Sequence, residues 1–402
     1  MYNIDDKVRA WAEIDLSALK YNLEYAKKRI GRKVICVLKA NAYGHGAVEC
    51  GRYLQSCGAD MFAVAALTEA VELRENGITI PILILGYTPP EYAEVLCDLD
   101  IEQTAVDEFY AVKLNDYAKK AGKTVKIHIK LDTGMSRAGI YAQANHEAAI
   151  DAAERVYRLS NLRTVGMYTH FAVADDPAQS EYTRFQYTNY SIVYNGLAER
   201  GIRIENCHVS NSAAILNSPI HFDSVREGVM LYGMYPNSLP VSMDRNGEYD
   251  SVREGIMLYG MYPDSKPREG VLKPAMTLKA RVTQIRDLPR GTTVSYGRTY
   301  TSERDIKSAV VSIGYADGYP RRLSNNASVY INGKPYPQIG RICMDVCMVD
   351  VTDGDVKVGD EAILFGNGGM SVEEVSQIVG TINYELTCLV TDRAKRVYVN
   401  KE

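Results

Sequence analysis

The chain has 402 residues, of which 46% are hydrophobic and 24% charged, and its formal net charge is −4. These proportions fit a folded globular chain of two or three domains and exclude a disordered or collagen-like one. So small a charge imbalance gives no sign of a nucleic-acid partner, and the longest apolar runs fall far short of the roughly 20 residues that cross a bilayer.

The first residues, MYNIDDKVRAWAEIDL, are charged and lack an apolar core. No signal peptide is expected there, and the chain reads as cytoplasmic. The eight cysteines are scattered without a CxxC pair. They read as reduced thiols, and no metal site is expected.

Short runs rich in β-branched residues predict strands at 34–38, 61–65, 80–85, 101–106, 125–131, 165–171, 204–209 and 224–231. Between them lie helix-periodic segments such as AALTEAVELRENG, which Gly77 should stop. Eight alternating strand and helix units predict an α/β fold, a (β/α)8 TIM barrel, over residues 10–240. From residue 272 to 402 the pattern changes to short strands and turns, which predicts a mainly antiparallel β domain. Residues 1–9 are expected to pack near it. Ile331-Asn332-Gly333-Lys334 reads as a type I′ hairpin, and a helix is expected near 371–379.

A tandem repeat lies at the boundary. DSVREGVMLYGMYP at 223–236 returns as DSVREGIMLYGMYP at 250–263, with a single Val-to-Ile difference. Two copies are too few for a solenoid. One strand slot takes one copy, and the direct run from Ser212 favours the first, with Arg226. The second copy, with Arg253, would then fall in an interdomain segment over 241–271.

Polar and charged residues collect at the predicted strand ends. Lys39 closes the first strand in VICVLKANAYGHG; an amine leaving an apolar strand is partly desolvated, which favours its neutral, nucleophilic form. The fifth strand ends in Lys130 and Asp132, the sixth in Tyr168 and His170, the seventh in His208, Asn211 and Ser212, and the eighth carries Arg226 and Gly228. In a barrel these ends form one face. Asn211 and Ser212 precede a helical run, whose amides favour an anion. Nothing resembles GxGxxG or a P-loop.

Several motifs resemble those of the pyridoxal-phosphate alanine racemases, of fold type III. They are VLKANAYGHG at 37–46, KLDTGMSRAG at 130–139, YTHFA at 168–172, NSAA at 211–214, VREG at 225–228, SYG at 295–297, GYADGY at 314–319, CMD at 343–345 and INYE at 382–385. The resemblance runs from Ala10 to the C-terminus. It departs at the repeat and at Arg393-Ala-Lys395-Arg396, where the family usually has a proline before the last arginine.

The resemblance implies pyridoxal 5′-phosphate held covalently by Lys39, with its phosphate bound by Tyr43, Ser212, the amides near Gly228, and Tyr384. His170 would pack on the ring. Arg226 would face the ring nitrogen, which would stay unprotonated. It further implies exchange of L- and D-alanine by two bases, Lys39 on the D side and Tyr296 of a partner subunit on the L side. Arg137 and the Met344 backbone would bind substrate carboxylate and cofactor oxygen, and Lys130 would be carbamylated so as to orient Arg137. His208 would link Arg226 to Tyr296, and Tyr315 and Tyr384 would narrow the entrance. Asp345 belongs to the same supporting set. The expected assembly is a homodimer with shared active sites, supplying D-alanine for peptidoglycan. The alternatives are a serine or broad-specificity racemase, or a cofactor-binding relative disabled by the duplication.

Overall fold

A computed structural model describes residues 8–217, 251–254, 256–262 and 271–401, the last-but-two segment by its backbone alone. It divides into two compact units.

One unit holds the parallel strands. In chain order they are β2 (Lys33–Val37), β3 (Met61–Val64), β4 (Ile82–Ile84), β5 (Ile101–Ala105), β6 (Val125–Asp132), the two-residue β7 (Ile140–Tyr141), β8 (Leu162–Tyr168), β9 (Asn206–His208) and β10 (Ser251–Glu254). A strand that precedes them, β1 (Ala10–Asp15), belongs to the other unit. The pairing order is β10-β2-β3-β4-β5-β6-β8-β9, every pairing is parallel, and β7 adds to β6. β9 and β10, at the two ends of that order, lie against each other. This is the expected (β/α)8 barrel. Its strands are apolar on both faces because helices cover the outside and side chains fill the inside. Val34, Ile35 and Cys36 of β2 and Phe62, Ala63 and Val64 of β3 are all fully buried.

The helices between strands are stopped and started by local chemistry. Asp107 caps α6 (Glu108–Lys120) by accepting from the Tyr110 amide at 2.6 Å. Asn145 caps α7 (His146–Tyr157) through the Ala148 amide at 3.1 Å. Gly77 ends the run of α4 (Leu67–Glu75) with φ +86°, as expected.

The eighth strand corrects an expectation. The strand beside β2 comes from the second copy of the repeat, with Arg253 in register with Ile35. The first copy, with Arg226 and Gly228, lies outside the described residues. The two copies are almost identical in sequence, so the side-chain pattern alone cannot choose between them.

The second unit is built on β1, β11 (Met276–Leu288), β14 (Ile306–Val311), β15 (Ser328–Ile331), β16 (Lys334–Ile339), β17 (Cys347–Asp350), β18 (Glu361–Phe365) and β19 (Lys395–Val399). The short pair β12 (Thr293–Val294) and β13 (Tyr300–Thr301) stands apart. β11 pairs with β18 through its first half and with β14 through its second, with register shifts in both ladders. That closes β11, β14, β17, β16, β15 and β18 into a ring of antiparallel neighbours. Bulges supply the bend that closure needs. β1 lies between β11 and β19, antiparallel to the one and parallel to the other. The expected boundary at residue 10 would have put β1 with the barrel; its backbone pairing puts it here. The β15–β16 hairpin turns at Asn332 and Gly333, φ +51° and +75°, as the type I′ reading requires. Ser371 caps α10 (Val372–Val379) with a capping box to Glu374.

Candidate active site

The chain leaves β2 through Leu38, whose amide still bonds to the Ala63 carbonyl at 2.8 Å, and reaches half-buried Lys39. The next turn, α2 (Lys39–Tyr43), has an uncommon backbone. Ala40, Asn41, Ala42 and Tyr43 have φ of +53°, +53°, +55° and +51°. This is a left-handed turn of four non-glycine residues, each of which costs roughly 1–2 kcal/mol against the right-handed form. Such strain persists only where neighbours over-determine it, and it concentrates at functional sites.

The restraints are visible. The Ala40 amide donates to Glu69 Oε1 at 2.6 Å, and the other oxygen of Glu69 accepts from the Ala65 and Ala66 amides. Asn41 Oδ1 accepts from the Ala47 amide at 2.7 Å, and its carbonyl accepts from the Gly46 amide. His45 Nδ1 lies 2.9 Å from the Ala42 carbonyl and 3.1 Å from that of Tyr43. Burial lowers the pKa of His45 to about 4, so its ring is neutral and donates from Nδ1. A side chain at Gly44 would strike the Thr387 carbonyl, with the added carbon only 2.1 Å away. Gly44 therefore serves both a positive φ and a close backbone approach.

At the neighbouring strand ends, Lys130 is 7% exposed and its Nζ lies 5.8 Å from the centre of the Tyr168 ring. Tyr168 stacks on His208 at 4.8 Å and 10°, and its hydroxyl meets Thr104 Oγ1 at 2.9 Å. His208 is fully buried, with Nε2 3.0 Å from His128 Nδ1. Asp132 is buried two residues beyond Lys130 along β6. Its Oδ1 accepts from the Gly134 and Ser136 amides, which shapes the loop leading to exposed Arg137. His170 is held by Gln186, which donates to its carbonyl at 3.0 Å and accepts from the Ala172 amide. Asn211 donates to the Phe171 carbonyl and accepts from the Ala214 amide, opening α9 (Ser212–Asn217) at buried Ser212.

The second unit presents two groups. Tyr43 packs against Tyr259 at 5.3 Å and edge-on to Tyr384 at 6.4 Å. Burial holds the Tyr43 phenol well above its ordinary pKa, so its hydroxyl keeps its proton and can donate. Tyr384 sits in α11 (Asn383–Leu389), where its amide donates to Asn383 Oδ1. Arg396 ties this group together from the C-terminal strand, donating to the Gly44, Val390, Thr391 and Ala394 carbonyls.

The other group is exposed. Tyr296 is 69% exposed and follows Ser295, whose φ is +64° and whose hydroxyl donates to the Arg341 carbonyl at 2.6 Å. Tyr315 and Met344 are exposed as well, and the Tyr315 and Ala316 amides donate to the Cys343 and Met344 carbonyls at 3.1 Å. Asp345 pairs with Arg393 at 2.6 Å. The structure thus joins Tyr315, Met344 and Asp345, and links the Tyr296 loop to the same segment through Arg341. Glu69, Gln186 and His128 were missed from sequence. Gln186 and His128 act on segments distant in the chain, and Glu69, besides its local contacts at the start of α4, reaches the Ala40 amide 29 residues away, which no local pattern marks.

The family models for the N-terminal and C-terminal domains of alanine racemase match residues 14–236 and 275–398. The alanine racemase of Clostridium perfringens strain SM101 is 42% identical over 394 residues, covering 96% of this chain and 95% of its own. That of Methanococcus maripaludis is 42% identical over 97% of this chain and 98% of its own. Among solved structures, an alanine racemase of Clostridium difficile 630 superposes with a TM-score of 0.87 at 39% identity, covering 99% of this chain and 98% of its own. One from Bacillus anthracis, described with bound L-Ala-P, gives 0.83 at 31% identity, covering 98% and 96%.

Proposed function

The chain belongs to the alanine racemase family, its reaction class is amino-acid racemisation, and on that premise we propose a two-base exchange of L- and D-alanine supported by pyridoxal 5′-phosphate. The observation that carries this reading is Lys39 at the C-terminal end of barrel strand β2, opening a restrained left-handed turn.

The donor set suits the cofactor. An amine at Lys39 meets an aldehyde, and the hydroxyls of Tyr43, Ser212 and Tyr384 with the first amides of α9 meet a phosphate. When bound, the cofactor would draw electrons from the substrate and ease loss of its α-proton. Lys39 Nζ would take or return that proton on the D face. Tyr296 Oη of a second copy would do so on the L face. One base on one face cannot readily invert the centre, and each positioned transfer is worth roughly 10²–10⁴-fold.

His170 would lie on the cofactor ring. The arginine of the strand-eight position, Arg253 by the pairing of β10, would face the ring nitrogen, with His208 linking it to Tyr296. Arg137 and the Met344 backbone would hold the substrate carboxylate, and a carbamylated Lys130 would orient Arg137. Tyr315 and Tyr384 would restrict substrates to small side chains, and Asp345 would brace Met344. In the cytoplasm the product D-alanine would feed peptidoglycan.

The test is conversion of L-alanine to D-alanine by the purified chain with added cofactor, with L-serine alongside. Fast conversion of alanine over serine supports the reading. Conversion of neither, by protein that retains cofactor, would sink it.

A further inference from the structure

The barrel interior holds two ionisable groups that the proposed exchange does not use, Glu102 and His128, beside His208, which it does. Glu102 on β5, His128 on β6 and His208 on β9 form a buried line. His128 Nε2 lies 2.7 Å from Glu102 Oε2, and His128 Nδ1 lies 3.0 Å from His208 Nε2. Both rings are fully buried, and Glu102 is 8% exposed. Glu102 reaches water at the opposite end of the strands, where it lines a depression of about 310 Å³ with Lys33, Asp60, Lys126, Arg163 and Glu205.

The line has to cross β8, which separates β6 from β9. At the crossing stands Gly166, in register with His128. A side-chain carbon there would lie 2.1 Å from His128 Nδ1. Gly166 has no positive φ that would call for glycine. Its role is room: any larger residue would displace the ring that makes the contact.

The direction of the hydrogen bonds follows from the carboxylate end. A carboxylate only accepts, so His128 carries a proton on Nε2 and donates it to Glu102. A neutral His128 ring then has a bare Nδ1, which can only accept, so His208 Nε2–H donates to it. We propose that Glu102 and His128 are positioning residues that fix the tautomer of His208, so that its Nδ1 is kept bare as an acceptor. The inference rests on the reading of His208 given above. Outer partners orient a working histidine, and around metal-bound histidines their loss costs roughly 10–100-fold.

The test is long-range ¹H–¹⁵N correlation on the deuterated, cofactor-loaded protein labelled at histidine, which reports the protonated nitrogen of each ring. The sequence has six histidines, few enough to assign by single substitutions. In the unaltered protein both His128 and His208 should carry the proton on Nε2 alone. In Glu102→Leu the anchor is gone, and His128 should show a mixture of tautomers with kcat down about 10–100-fold and KM for alanine little changed. Glu102→Gln keeps an acceptor oxygen and should restore the single tautomer and most of kcat. A proton on His208 Nδ1 in the unaltered protein overturns the inference. So does a Glu102→Leu protein with both tautomers and kcat unmoved. If Glu102→Leu does not fold, the spectrum of the unaltered protein still decides. Failure of the racemase reading shows elsewhere, as absent alanine conversion by that same unaltered protein.

Discussion

The barrel and the β unit present their reactive groups in opposite ways. Around Lys39 and His208 the chain completes its own surroundings. Glu69, Asn41 and His45 restrain the turn, and a line of buried rings ends on Glu102. Around Tyr296 it does not: the phenol is 69% exposed, with Tyr315 and Met344 exposed beside its supporting segment. A general acid or base works in a dry, positioned setting. On the proposed reading the Lys39 side is built within one chain, and the exposed Tyr296 side would be completed by a second copy.

The largest effects should come from the two bases. Lys39→Ala should leave no measurable racemisation. Tyr296→Phe should lower kcat by roughly 10²–10⁴-fold while the cofactor absorption band persists. Near-normal turnover in Tyr296→Phe would break the contrast, because the exposed phenol would then have no chemical role.

Next come the two arginines of the repeat. β10 carries Arg253, so Arg253→Ala should lose most activity and Arg226→Ala little, as read from initial rates. Equal losses would contradict the one-slot account. Here lies the clearest limit of the sequence. The apolar periodicity gave the barrel and its other strands, and the Asn332-Gly333 turn was legible because only such residues take two positive φ values cheaply. The eighth strand was not, since both copies carry the same pattern. The left-handed turn was hidden too, because of its four residues only Asn41 readily takes that region; distant groups impose it on Ala40, Ala42 and Tyr43. β1 was missed because its partners, β11 and β19, lie hundreds of residues away. For the same reason the Glu102–His128–His208 line joins residues that no spacing rule connects.

A smaller effect sharpens the restrained side. Folded, His45 gains its proton only near pH 4, against 6.5 for the ordinary group. Between those values the unfolded chain binds more protons, so stability falls as pH falls from 6.5 toward 4. The loss should approach about 3 kcal/mol at the acid end. Urea midpoints against pH should show this slope, and His45→Phe should flatten it. An unchanged slope would remove His45 from the account. The smallest effect is expected from Glu69→Ala, which frees three backbone amides near the surface. It should cost about 1–3 kcal/mol and lower cofactor affinity, both read from equilibrium titrations.

The central claim is that one copy supplies Lys39 and another Tyr296 to the same site. Mixing Lys39→Ala and Tyr296→Phe proteins, unfolded and refolded together, tests it most directly. A mixed dimer would contain one site with both groups intact, so activity should return although neither parent has it. If mixed dimers form, as mass-tagged subunits would show, and activity stays at the level of the parents, both bases must come from one chain and the account is wrong.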